Sequence, residues 1–273
     1  MWSKELEIAK IAAIKAGEAI MKIYNTVDFQ VEYKKDDSPL TIADKASNEI
    51  IVEMLKEYFP KHAILSEEEK DNLSRLENEL CFVVDPLDGT KEFIKRNGQF
   101  TVNIALAHNH VSVMGVIYVP VTGELYYASE GDGAYRMIVD ADGHAWEHTL
   151  GNAQGIEKLC VSENTDISTL RVVMSSSHGC TQMDELLDKY QLTNFVKKGS
   201  SLKGCMIASG EADIYYRFNP TMEWDTAAMQ CIVEEAGGIF QQMDGTPMRY
   251  NRENSLNDKG FYILNREENL LLL

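Results

Sequence analysis

Over the first half of this chain the spacing of apolar residues changes from a helical period to a strand-like one, and few architectures accommodate that order. Over residues 4 to 24 the apolar positions recur at helical spacing, Ile8, Ile11, Ala12, Ala19 and Ile23 among them, which predicts an opening amphipathic helix. Thr41 begins a T-x-x-D capping-box pattern ending at Asp44. Ile50, Ile51, Met54 and Leu55 then give a core-facing stripe to about Tyr58, with Pro60 marking the end. From Cys81 onward the apolar runs are short: Cys81 to Val84, Thr101 to Ala107, Val111 to Val119 and Glu124 to Ala128, separated by Asn-His, Gly and Pro turn signals. This order predicts a meandering antiparallel sheet packed on two helices.

Residues 140 to 155 are rich in Gly, Asn, Asp and His and have little periodicity, so we expect the domain division near residue 150. Past it, strand-like Arg171 to Met174, helical Met183 to Tyr190, helical Leu202 to Ala208, strand-like Ala212 to Tyr216, helical Thr226 to Ala236 and strand-like Phe261 to Leu264 alternate as in an α/β unit. At 273 residues the chain sits near the length where one domain gives way to two. The expected organisation is an N-terminal α+β subdomain, residues 1–150, followed by a C-terminal α/β subdomain, residues 151–273.

Met1 to Lys10 carries charges every few residues and lacks the apolar core of a signal peptide, and no later stretch approaches the roughly 20 apolar residues of a membrane span. A cytoplasmic protein is expected. The five cysteines, Cys81, Cys160, Cys180, Cys205 and Cys231, are odd in number and never form a CxxC pair, which argues against a disulfide framework or a zinc site. Reduced, mostly buried thiols are expected. A net charge of -17 argues against long-range attraction to a nucleic acid polymer or an anionic membrane, since both need basic patches. It also means that a phosphorylated ligand is repelled unless bound cations reverse the local field.

The most informative stretch is Val84-Asp85-Pro86-Leu87-Asp88-Gly89-Thr90. Two carboxylates three apart follow an apolar strand, and Pro86 and Gly89 force a turn, so both side chains and the intervening carbonyls can face one cavity. Oxygen donors of this kind suit Mg²⁺ or Mn²⁺ rather than zinc or copper. A polar turn at a strand end is the plain alternative. Ser66-Glu67-Glu68-Glu69 follows apolar Ala63-Ile64-Leu65 and reads either as a second set of acidic ligands or as a solvated charge run. In Glu223-Trp224-Asp225-Thr226, Asp225 precedes a helix that ends at Gly237-Gly238, and it reads as an N-cap with one oxygen free to face outward.

Taken together and in this order, LSEEE, VVDPLDGTKEFIKRNGQFTVNIAL and WDTAAMQCIVEEAGG closely resemble the inositol monophosphatase superfamily of lithium-sensitive, Mg²⁺-dependent phosphatases. The resemblance spans nearly the whole chain and implies that family's layered αβαβα sandwich, a mixed α+β and α/β architecture. DGTKEFIKRNGQFTVNIAL, Ser38-Pro39-Leu40-Thr41-Ile42-Ala43-Asp44, Gly199-Ser200-Ser201-Leu202-Lys203 and Ala212-Asp213-Ile214-Tyr215-Tyr216-Arg217 resemble the 3′(2′),5′-bisphosphate nucleotidase, or CysQ-type, branch.

Carried over, the resemblance implies a first metal on Glu67, Asp85, the Leu87 carbonyl and Thr90, and a second on Asp85, Asp88 and Asp225. Two or three Mg²⁺ ions are expected, with Mn²⁺ as a substitute and Li⁺ as an inhibitor. Asp44 and Thr90 would assist the attacking water, although Asp44 also serves the capping box. Glu67, Leu87, Asp88, Gly89, Thr90 and Asp225 would surround the reacting phosphate, with the N–H groups of Gly89 and Thr90 as donors if a helix starts there. Ser200, Lys203 and Arg217 would lie near a second phosphate, and His178 near the ribose or base. The implied substrate is a small nucleotide bisphosphate and the implied assembly a monomer or homodimer. The rivals are an inositol or sugar phosphatase of the same superfamily and a catalytically silent metal-binding interaction protein.

Overall fold

The computed structural model describes residues 1–26, 31–33, 39–139, 155–177 and 179–273. The first helix, α1 (Ser3–Tyr24), buries Ala9, Ala12, Ala13, Ile14, Ala16 and Ile20 on one side. A short pair, β1 (Glu32–Tyr33) and β2 (Pro39–Leu40), leads to α2 (Ile42–Tyr58). Thr41 is the N-cap of α2: its Oγ1 accepts the Ala43 N–H at 3.1 Å, and its own N–H donates to Asp44 Oδ2 at 2.7 Å.

Next come β3 (Ala63–Ser66), β4 (Leu80–Asp88), the five-residue α3 (Thr90–Ile94), β5 (Thr101–His108), β6 (Val111–Val119), β7 (Glu124–Ser129), β8 (Gly133–Ile138) and β9 (Ile156–Lys158). Strands β3 to β9 form one seven-stranded sheet in chain order. The expected meander runs from β4 to β9, and β3 joins it in parallel with β4. The division expected near residue 150 falls among residues outside those described, and β9 completes the sheet from its far side.

A second sheet has five strands in the order β11 (Phe195–Lys198), β10 (Val172–Ser175), β12 (Ile214–Arg217), β16 (Phe261–Leu264), β14 (Ile239–Gln242). The first three are parallel, and β16 is antiparallel to both of its neighbours. Two short strands, β13 (Thr221–Met222) and β15 (Leu256–Asn257), pair beside it.

Alternation along the strands divides the core into layers. Phe82 and Val84 face α1 and α2, whereas Cys81 and Val83 join a core shared with the helices Leu202–Ala208 and Glu223–Glu235. That central core continues into Val173, Tyr215 and Ile263 of the second sheet, whose outer face, with Val172, Ile214 and Leu264, packs on Met183 and Leu186 of the helix Thr181–Tyr190. The sandwich is αβαβα, as expected. Gly115 permits the closest approach between layers, because a Cβ there would lie 2.4 Å from the Ala228 carbonyl oxygen.

All five cysteines are free thiols, with Cys81, Cys205 and Cys231 buried. Leu271 is buried too, and its N–H donates to Tyr216 Oη at 2.7 Å. Among the described residues no helix is long and apolar enough to cross a membrane.

Candidate active site

The two aspartates of β4 reach one cavity through a bulge. Asp85 pairs with Asn103 and Asp88 with Thr101, so two residues of β4, Pro86 and Leu87, oppose the single residue Val102 of β5. In a regular strand, positions three apart face opposite sides. The extra residue restores Asp88 to the side of Asp85, and Leu87 turns into the core on α1 and α2. Proline, lacking an N–H, suits such a break in the ladder. Ser47 Oγ of α2 donates to the Pro86 carbonyl at 2.6 Å and fixes the bulge from below. Gly89 then turns the chain into α3 with φ of 96°, a left-handed value that favours glycine.

Asp225 comes from the helix Glu223–Glu235. The expectation that it is the N-cap is corrected: the helix starts earlier, with Met222 as N-cap and Asp225 at its third position. The Met222 N–H needs an acceptor there, and Asp225 Oδ2 takes it at 2.7 Å. The other carboxylate oxygen stays available. Asp85, Asp88 and Asp225 each present an oxygen, and these atoms lie within 4.8 Å of one another. Glu67, just past β3, lines the same cavity.

The electrostatics of this cluster are unfavourable as it stands. Burial, followed by repulsion from Glu67, Asp88 and Asp225, raises the Asp85 carboxyl well above the ordinary range. Burial and the neighbouring Asp88 push Asp225 up to about 7. Crowded carboxylates, a main-chain carbonyl at Leu87 and a hydroxyl at Thr90 make an all-oxygen donor set, which fits a hard divalent cation. The fold orients these donors through hydrogen bonds. Asp88 Oδ2 accepts from Ser200 Oγ (2.7 Å), Ser201 Oγ (2.8 Å) and Asn103 Nδ2 (3.3 Å), and Asp85 Oδ1 accepts from the Leu87 N–H (3.1 Å).

Asp44 serves two purposes at once. Its Oδ2 holds the α2 cap, and its Oδ1 accepts from Thr90 Oγ1 at 3.0 Å. Burial raises its carboxyl above the usual value against the lowering effect of Thr41. Thr90 Oγ1 also lies 3.4 Å from the Leu87 carbonyl oxygen.

The cavity, of about 280 Å³, extends to Lys203, Tyr215 and Arg217. Lys203 is buried, its Nζ donates to the Ser200 carbonyl and stands 5.6 Å from the centre of the Tyr215 ring. Burial lowers it to about 8, while Asp88 works in the opposite direction. Arg217, at the end of β12, donates from Nε to the Asn219 carbonyl at 3.2 Å. The structure thus gathers Asp44, Glu67, Asp85, Leu87, Asp88, Gly89, Thr90, Ser200, Lys203, Arg217 and Asp225 around one region, whereas His178 lies outside the described residues.

A model of the inositol monophosphatase family matches residues 1–270. The chain belongs to the inositol monophosphatase family. It is 39% identical over 254 residues to the 3′(2′),5′-bisphosphate nucleotidase CysQ of Salmonella typhimurium, covering 92% of this chain and 96% of that one. With the Escherichia coli K12 protein of the same name it shares 38% identity over 253 residues, again 92% and 96% of the two chains. The crystal structure of CysQ from Bacteroides thetaiotaomicron superposes with a TM-score of 0.81 at 41% identity, covering 97% of this chain and 98% of that one. The Anabaena inositol monophosphatase gives 0.73 at 26% identity, with 96% and 91% covered.

Thr101 and Asn103, behind the acidic motif, were not among the residues expected at the site. Ser200 Oγ, expected near a second phosphate, is hydrogen-bonded to Asp88 and lies 2.6 Å from Thr101 Oγ1. Thr101 Oγ1 donates to Asn103 Oδ1 at 2.8 Å, and Asn103 Nδ2 to Ser201 Oγ at 2.9 Å. Thr101 and Asn103 alternate with apolar Phe100, Val102 and Ile104, which puts them on one strand face, and that pattern was available as a signal.

Proposed function

We propose that this chain is a Mg²⁺-dependent phosphatase that removes the 3′-phosphate of adenosine 3′,5′-bisphosphate, giving AMP and phosphate in the cytoplasm. The observation that carries this reading is the union of two opposite chemistries in one cavity: the carboxylates Asp85, Asp88 and Asp225, and the cations Lys203 and Arg217. A monophosphate ester has no use for a second cationic group, whereas a bisphosphate requires one. The relatives named 3′(2′),5′-bisphosphate nucleotidase support the same choice.

Glu67, Asp85, the Leu87 carbonyl and Thr90 would hold one ion, and Asp85, Asp88 and Asp225 another, with Asp85 shared. Bound Mg²⁺ supplies positive charge and Lewis acidity, Mn²⁺ substitutes for it, and Li⁺ competes for the same oxygens. The protein's own task is positioning. Thr90 Oγ1 takes a proton from the attacking water and passes its own to Asp44 Oδ1, its hydrogen-bond partner. The water oxygen joins phosphorus as the bond to the ribose 3′ oxygen breaks, and the departing oxygen takes a proton from solvent water to give the 3′-hydroxyl of AMP. The N–H groups of Gly89 and Thr90 donate to phosphate oxygens, and Lys203 and Arg217 hold the 5′-phosphate. Residues 1–150 then supply the hydrolytic groups, and residues 151–273 supply Asp225 and the grip on the nucleotide.

The test is phosphate release from adenosine 3′,5′-bisphosphate and inositol 1-phosphate in parallel with Mg²⁺, repeated with EDTA. Preference for the bisphosphate that disappears with chelator is the expected result. Preference for the inositol ester would replace the substrate reading, and metal-independent release or none would end the enzyme reading.

A further inference from the structure

Glu92 and Gln99 have no part in the chemistry above, yet both bind the walls of the cavity. Glu92 is only 5% exposed, two positions after Thr90 on α3. Its carboxylate accepts from Ser177 Oγ, just past the end of β10. Gln99 Oε1 accepts from the Gly199 N–H at 2.8 Å and from Ser176 Oγ at 3.2 Å. The fit at Gly199 is close: a Cβ there would stand 2.8 Å from Glu92 Cγ and 2.9 Å from the Gln99 carbonyl oxygen. Two side chains of the DGTKEFIKRNGQ segment therefore clasp two separate stretches, Ser176–Ser177 and the turn at Gly199.

Those stretches border the cationic part of the cavity. The Gly199 turn runs directly into Ser200, whose carbonyl accepts from Lys203 Nζ and whose φ is 53°, a left-handed value that a side-chain-bearing residue adopts only when its surroundings hold it. Ser175, one residue before the other clasped stretch, lines the cavity together with Arg217. The clasp fixes the distance between the groups that hydrolyse a phosphate and those that grip a second one.

We propose that Glu92 and Gln99 are positioning residues that set specificity for a bisphosphate, by holding the wall that carries Lys203 in register with Thr90. This rests on the bisphosphate reading above. The informative substrates are adenosine 3′,5′-bisphosphate and adenosine 3′-monophosphate, which differ only in the second phosphate. Glu92→Ala and Gln99→Ala are expected to raise KM for the bisphosphate about tenfold, the scale of one lost hydrogen bond to a charged or well-placed group. Turnover at saturation stays within about threefold for both substrates, the part of the effect that reaches Asp88 through Ser200, and KM for the monophosphate does not change.

Glu92→Gln and Gln99→Glu keep an acceptor oxygen and restore most of the loss. Glu92→Asp keeps the charge but falls short of Ser177, so it behaves like the alanine variant and serves if that variant folds poorly. Amide hydrogen exchange at Ser176, Ser177, Gly199 and Ser200 is expected to quicken in the alanine variants with or without substrate. Equal losses on both substrates, or unchanged KM together with unchanged exchange, overturn the proposal. If the unaltered protein shows no preference for the bisphosphate, the substrate reading fails, the specificity role falls with it, and exchange alone decides whether the clasp exists.

Discussion

Two groups of buried carboxylates in this fold live under opposite regimes. Asp213, fully buried, has its cation built in: Arg171 donates from its backbone N–H (2.7 Å), Nε (3.0 Å) and Nη2 (2.6 Å), and Asn164 Nδ2 adds a bond at 3.1 Å. Burial pushes the Asp213 carboxyl up, but hydrogen bonds from Arg171 and Ser162 outweigh it and hold the group below the usual carboxylate range. Asp85, 1% exposed, sits among other carboxylates and is raised instead. Hydrogen bonds orient a carboxylate, whereas a cation neutralises it. The fold supplies the cation at Asp213, whereas on the proposed reading a bound ion would take that role at Asp85.

The sharpest way to break this contrast is to remove one charge from each group. Asp85→Asn is expected to lower kcat/KM by about 10³-fold or more, while its melting temperature in EDTA stays level or rises, because an uncompensated buried charge has gone. A lower melting temperature in EDTA would show that the charge is balanced within the protein after all.

Asp213→Ala should do the reverse. It leaves the half-exposed Arg171 and its partly buried backbone N–H without their acceptor and is expected to cost about 1–3 kcal/mol in urea unfolding, with kcat/KM of the folded protein intact. Its pH dependence has a defined sign. A carboxyl held below its unfolded value contributes stability above that value, about 3.9, and loses the contribution as pH falls through the lower folded value. Acid unfolding of the parent should therefore be steeper below about pH 4 than that of Asp213→Asn, as followed by circular dichroism.

Added Mg²⁺ separates the two groups more gently. At a concentration about 100 times its dissociation constant, it should stabilise the parent by about 2.7 kcal/mol and leave Asp85→Asn unchanged in thermal melts. The smallest effect is expected from the orienting layer. Asn103→Ala removes a donor to Asp88 and should lower kcat/KM about tenfold with little change in Mg²⁺ affinity by calorimetry.

The contrast also explains what could be read from the sequence. The helices α1 and α2 and the strands β4 to β7 follow from apolar period and turn chemistry, which are local properties. Their ends agree with the structure within a few residues, and Thr41 caps α2 through its expected partner Asp44. The acidic motifs were legible because each is a short string. What escaped was non-local. Ser201 meets Asn103 across 98 positions and Gly199 meets Gln99 across 100, while Arg171 and Asp213 are 42 apart. The early start of the helix at Glu223 escaped for a similar reason, since the Glu223 carboxylate is buried against the N–H groups of Asn251 and Arg252.

The bulge between Asp85 and Asp88 does more than bring two acids to one face. Two acids on one face of a strand need a spacing of only two, which an unbroken strand provides. The additional residue releases main-chain oxygens that a regular ladder would consume: one is taken by Ser47 Oγ, and the other lies 3.4 Å from Thr90 Oγ1. A lineage that trimmed this segment by one residue would keep both acids and lose those oxygens. What this stretch presents to the cavity therefore depends on its length as well as its letters, because a backbone oxygen belongs to every amino acid.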